Sequence, residues 1–180
     1  MYTISLIIAL MLSPTSYELN INFGKELSGN NWMVVNDGVM GGLSKSQAML
    51  LENAILFKGE ISLDNNGGFA SVRSGLTDLD LSHASQVTIK YRSTGQKVGL
   101  RLIKTDRFWM PYLKTYLPTT GWEWKTETLS MEEFSEYSLE KISRGDLSPS
   151  DFKDIIRVGL IVSNKIEGPF KLEIDYIKFH

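Results

Sequence analysis

Residues 87–103 read VTIKYRSTGQKVGLRLI. Val87, Ile89 and Tyr91 alternate with Thr88, Lys90 and Arg92, and Val98, Leu100 and Leu102 alternate with Gly99, Arg101 and Ile103. Ser93-Thr94-Gly95 lies between the two runs. A period of two puts one side of each run into a core and leaves the other to solvent, the pattern of antiparallel strands joined by a turn. The same pattern recurs outward. Ile55, Phe57, Gly59 and Ile61 alternate with more polar neighbours, as do Phe170, Leu172 and Ile174, while Val158, Leu160 and Val162 with Ile161 predict a more fully buried strand. Asn36-Asp37-Gly38, Asn65-Asn66-Gly67-Gly68 and Glu167-Gly168-Pro169 punctuate these runs as turns. Short strands with such turns predict an all-β sandwich or barrel. Helical signal is confined to a turn over Met131–Tyr137 after Ser130, and a second from Ser148-Pro149 to about Ile156.

Composition narrows the chemistry. Nineteen basic residues stand against 21 acidic ones in 180, so no electrostatic feature points to nucleic acid. The absence of cysteine excludes disulfides, a thiol nucleophile and a thiolate metal site. His83 and His180 are the only histidines, and His83 sits in a polar stretch. No nucleophile elbow, HExxH or phosphate-binding loop is present, so no catalytic residues, metal ligands or cofactor are assigned. Ile4–Leu12 is an apolar run too short for a bilayer, which takes about 20 residues. With Ser13, Thr15 and Ser16 behind it, the run fits a secretory signal over residues 1–16, although no Lys or Arg precedes it. The expected domain is then 17–180. It is exported to periplasm or medium if the signal is cleaved, and cytoplasmic otherwise.

Three segments stand out. Trp32–Ser44, WMVVNDGVMGGLS, reads as a tight loop between strands or as a contact loop, with Asp37 as acceptor and Met40 as adaptable apolar contact. Asn65–Ser74, NNGGFASVRS, predicts a hairpin whose returning strand places Phe69, Ser71 and Arg73 on one face, with Arg73 paired to Asp37. The third holds Phe108, Trp109, Tyr112, Tyr116, Trp122 and Trp124, core packing or a platform for sugars or a protein, with Trp122 and Trp124 on one side of a strand.

The order of these segments resembles the signature of the complex I intermediate-associated protein 30 family. Trp32, the run Val35–Gly42, Ser44, Phe57-Lys58-Gly59, Asn66–Arg73, Trp122, Phe134, Gly159-Leu160, Gly168-Pro169-Phe170 and Ile174–Ile177 carry the likeness over about residues 20–179. The resemblance implies a galactose-binding-like jelly-roll β-sandwich with one or two short helices. It also implies a non-enzymatic, assembly-factor-like role toward respiratory-complex intermediates, in a stand-alone bacterial-type member. It supplies no catalytic residues. Asn36, Asp37, Met40, Ser44, Asn66 and Arg73 are the candidate binding surface for a protein partner. The alternative is an exported carbohydrate-binding module, suggested by the jelly roll and the aromatic stretch 108–124.

Overall fold

In the computed structural model, residues 18–24 and 31–180 are described; the expected signal, residues 1–16, lies outside them. The described residues form two antiparallel sheets. The strands are β1 (Leu19–Asn22), β2 (Met33–Asn36), β3 (Lys45–Leu51), β4 (Ala54–Ile61), β5 (Ala70–Arg73), β6 (Gln86–Thr94) and β7 (Val98–Ile103). There follow β8 (Tyr112–Leu117), β9 (Lys125–Ser130), β10 (Ser135–Ser138), β11 (Lys141–Arg144), β12 (Arg157–Val162) and β13 (Gly168–Phe179). One sheet runs β3-β4-β13-β6-β9, with β1 also paired to β13; the other runs β11-β10-β8-β7-β12-β5-β2. The long β13 carries β4 along its first half and, beyond an irregularity between Ile174 and Tyr176, β1 along its second.

The period-two runs are what join the sheets. Ile55, Phe57, Val87, Ile89, Tyr91, Leu172 and Ile174 from the first sheet meet Val72, Leu100, Leu102, Val158, Leu160 and Val162 from the second, all in one buried cluster. Each buried aliphatic side chain contributes about 1.5–3 kcal/mol, so the alternation outweighs local propensity. The strands β6 and β7 are consecutive in sequence but lie in different sheets, so the turn at Thr94–Gln96 crosses the sandwich edge rather than closing a hairpin.

Three expectations need correction. The Asn65–Gly68 turn closes no hairpin: β4 belongs to the first sheet, while β5 pairs with β2 and β12 in the second. The alternation along β5 does hold, with Ala70 and Val72 in the core and Arg73 on the other face. The helical signals produce only 3-10 turns, Met131–Glu133 and Pro149–Phe152, each with a Ser–acid capping box, because each is followed by extended backbone. Trp122 and Trp124 precede β9 rather than lying on it, and Trp122 takes a positive φ of 72°.

Candidate functional site

The segment after β2 bends into a 3-10 turn, Asp37–Met40, closed by Gly41 at φ 88°. Asp37 is only 1% exposed, and its carboxylate points inward. One oxygen accepts the Ser44 N–H at 3.0 Å; the other accepts the Ser44 hydroxyl at 2.6 Å and the N–H groups of Gly68 and Phe69 at 2.6 and 3.2 Å. Burial alone pushes this carboxyl up, but these hydrogen bonds together hold it below the ordinary aspartate value. A Cβ on Gly42 would lie 2.4 Å from the Asp37 Cγ, and one on Gly67 would lie 2.7 Å from its Oδ2. The two glycine-rich segments are therefore halves of one device, clasped through a single carboxylate. Asn36 and Ser44 belong to the same clasp. Asn36 accepts from the Ser46 hydroxyl at 2.5 Å across the sheet edge, and the Ser44 oxygen accepts the Ser62 N–H at 3.1 Å.

The clasp forms one wall of a pocket of about 220 Å³ on the outer face of the seven-stranded sheet. Strand register sets its floor. Arg73 of β5 lies opposite Gly159 of β12, Gly159 opposite Arg101 of β7, and Arg101 opposite Lys114 of β8. The other walls are the loop carrying Phe108 and Met110, the β10–β11 turn at Leu139 and Glu140, and Lys165. Phe108, Met40 and Leu139 are 66%, 55% and 65% exposed, so the rim is apolar and open to solvent.

Most charges around the floor are paired. Arg157 grips Asp106 with two hydrogen bonds, of 2.7 and 3.1 Å, and donates to the Ser74 carbonyl at 2.8 Å, which ties the Phe108 loop to β12. Lys114 is buried with its ammonium 4.0 Å from the Tyr137 ring centre and 4.8 Å from that of Tyr116. Its counter-ion is Glu140, at 2.7 Å. Glu140 also accepts from the hydroxyls of Ser163, at 2.5 Å, and Tyr112. Burial pushes the Glu140 carboxyl up, yet Lys114 and the hydroxyl donors bring it below the usual value. Leu139 and Glu140 both take positive φ, which turns the Glu140 side chain inward from the hairpin tip.

Of the six expected surface residues, Asp37, Met40, Asn66 and Arg73 line this pocket, whereas Asn36 and Ser44 support it from behind. The expected Arg73–Asp37 ion pair does not form, because the Asp37 oxygens are occupied by their own loops. Arg101, Lys114 and Glu140 escaped the sequence reading. The outward phase of Arg101 between Leu100 and Leu102 was visible, but nothing local brings it beside Arg73. The aromatic stretch divides between the two sheets. Phe108 and Tyr112 border the pocket, whereas Trp122 and Trp124 flank Arg92 of the other sheet at 4.5 and 4.9 Å. Lys171 also stands 3.7 Å over Trp122, so that ring face is already covered. Among the described residues no three His, Asp or Glu side chains gather as metal ligands would, and no helix is long and apolar enough to cross a membrane.

Comparison with known proteins agrees with the architecture. A family model described as complex I intermediate-associated protein 30 matches residues 21–174. No curated protein matches the chain. A solved family 11 carbohydrate-binding module from a cellulosomal cellulase of Clostridium thermocellum is similar with a TM-score of 0.64 and 16% identity, covering 91% of this chain and 94% of that one. The same kind of module, in complex with a β-1,3-1,4-mixed-linked tetrasaccharide, gives a TM-score of 0.62 at 16% identity, over 89% and 94% of the two chains. An agarase gives 0.58 at 9% identity, over 90% of this chain and 24% of that one. At such identities these likenesses establish the fold, a galactose-binding-like jelly-roll sandwich, and nothing about the ligand.

Proposed function

The chain belongs to the complex I intermediate-associated protein 30 family, and on that premise we propose that it is a non-catalytic binding domain that holds a protein partner over the pocket on its seven-stranded sheet. The observation that carries this reading is the ring of exposed apolar side chains around the pocket, with Val39 71%, Phe108 66% and Met40 55% accessible. Apolar side chains gathered at a concavity with a polar floor are the composition of a binding centre. The family description, which speaks of association with a complex I intermediate, supports such an intermediate as the partner class. In this reading Asp37, Asn36 and Ser44 shape the site, while Met40 and Arg73 touch the partner. Residues 17–180 form the binding domain and 1–16 a signal segment.

A crosslinked pull-down of tagged full-length protein from its host, read by mass spectrometry, tests this. Respiratory-complex subunits should be enriched, and Met40→Asp or Phe108→Asp should reduce that enrichment at least tenfold, since both positions are exposed and tolerate a charge. Unchanged capture by both variants would refute the site, and no enrichment of such subunits by the wild type would refute the partner class. The intact mass of the recovered protein reports whether residues 1–16 are removed. A second reading, sugar binding on the same face, has in its favour Trp109, 54% exposed and set edge-on to Phe108 at 5.1 Å. Retardation on a mixed-linked glucan gel that Trp109→Ala abolishes would favour it.

A further inference from the structure

Two cations at the pocket floor lack a hydrogen-bonded or ion-paired partner among the described residues. Neither Arg73 nor Arg101 makes a hydrogen bond or ion pair with any described residue, and the Nε of each is buried and unsatisfied. Arg101 has only the face of Tyr112, 4.0 Å away. Nearby carboxylates do not serve them: Asp106 is taken by Arg157, Glu140 by Lys114, and Asp37 by its own loops. Burial pulls both guanidinium groups below their ordinary basicity, with Arg157 adding to the effect at Arg73, but arginine stays charged all the same. A buried donor without an acceptor is costly, so two together in one pocket favour an anion.

Space is left for one. Gly159 sits between the two arginines in strand register, so no side chain rises between them; a Cβ there would crowd the Val72 carbonyl oxygen at 3.1 Å and the Arg73 Cβ at 3.2 Å. Met40, Phe108 and Met110 line the same pocket. Its volume of about 220 Å³ holds one side chain or one short apolar tail rather than a large ligand. Three carboxylates share the lining, and they repel a dianion about twice as strongly as a monoanion at the same distance.

We propose that Arg73 and Arg101 form a carboxylate receptor, which takes an acidic side chain or the terminal carboxylate of the partner polypeptide while the rim holds the adjoining apolar residues. This deepens the protein-binding reading above and rests on the same pocket. The planar guanidinium fork matches a carboxylate with two parallel hydrogen bonds, which a lysine in either place could not supply.

The direct readout is the pair of arginine Nε–Hε resonances in the 15N-labelled full-length protein, assigned by their loss in Arg73→Gln and Arg101→Gln. Titration with sodium octanoate should shift both resonances saturably. Either glutamine variant should weaken binding at least tenfold, and Gly159→Ala, whose methyl would press on the Arg73 stem, at least fivefold. Octyl glucoside, with a tail one carbon longer and no charge, should leave both resonances in place. Inorganic phosphate should move them less than octanoate does. Three results would overturn the proposal: no shift with octanoate, an equal shift with octyl glucoside, or a response to phosphate alone. If the arginines respond to octanoate while Met40→Asp and Phe108→Asp both leave the pull-down unchanged, the carboxylate site stands and the placing of the protein partner over this pocket fails.

Discussion

Replacing Asp37 with asparagine keeps the side-chain shape and removes one acceptor and the charge. In the wild type, Oδ1 serves the Ser44 N–H, while Oδ2 serves the Ser44 hydroxyl and the N–H groups of Gly68 and Phe69. An amide has one oxygen. Placed at the Oδ2 position, it leaves the Ser44 N–H facing an NH2 group; placed at Oδ1, it leaves the Gly68 and Phe69 N–H groups unserved. At least one buried donor is orphaned, at about 1–3 kcal/mol, and the surviving bonds fall from charged to neutral strength. The expected loss for Asp37→Asn is about 3 kcal/mol. On a chain of this length that is about 6–12 °C in Tm, a large part of a typical total stability of about 5–15 kcal/mol. Urea titration followed by tryptophan fluorescence should show a lower midpoint with the slope unchanged. Gly42→Ala, whose Cβ would meet the same carboxylate at 2.4 Å, should cost a similar amount, and the double variant should cost less than the sum because both act on one clasp. A loss below about 0.5 kcal/mol for Asp37→Asn, or strict additivity with Gly42→Ala, would refute the clasp.

Two further outcomes follow from the charge arrangement. Glu140→Gln leaves the buried Lys114 ammonium without its counter-ion and should destabilise the fold by about 3 kcal/mol. Adding Lys114→Met should recover most of the loss in the same urea assay, and no recovery would show that Glu140 acts otherwise. Asp37 and Glu140 both have carboxyls lowered in the folded state, so their stabilisation is complete above the unfolded carboxylate range near pH 4 and is lost as pH falls through the lower folded values. Thermal melts should therefore hold steady from about pH 7 to pH 5 and decline below about pH 4, less steeply in Asp37→Asn than in the wild type. Equal slopes for the two proteins would contradict the assignment.

The strands were legible because burial along an extended chain has a local period. Val87-Ile89-Tyr91 and Val98-Leu100-Leu102 declare their buried face within a few residues, and the structure places that face in the common core. The two glycine-rich signatures were also legible, as was the family they indicate. Their relation was not. Asp37 and Gly68 lie 31 residues apart, and only the crossing from β4 to β5 brings them together, so a hairpin and an Arg73 ion pair were natural readings that the tertiary structure replaced. Exposure was equally hidden for the tryptophans, since the same spacing serves a sugar platform or rings that pack on Arg92. The sequence by itself determined the strand phases, and with them which residues face outward from each sheet, because side-chain alternation is a property of a single strand. Tertiary structure alone decided that Arg73, Gly159 and Arg101 share one row and that, among the described residues, no carboxylate hydrogen-bonds or ion-pairs with either arginine. Register between strands distant in sequence depends on how whole sheets pack, and no local pattern encodes it.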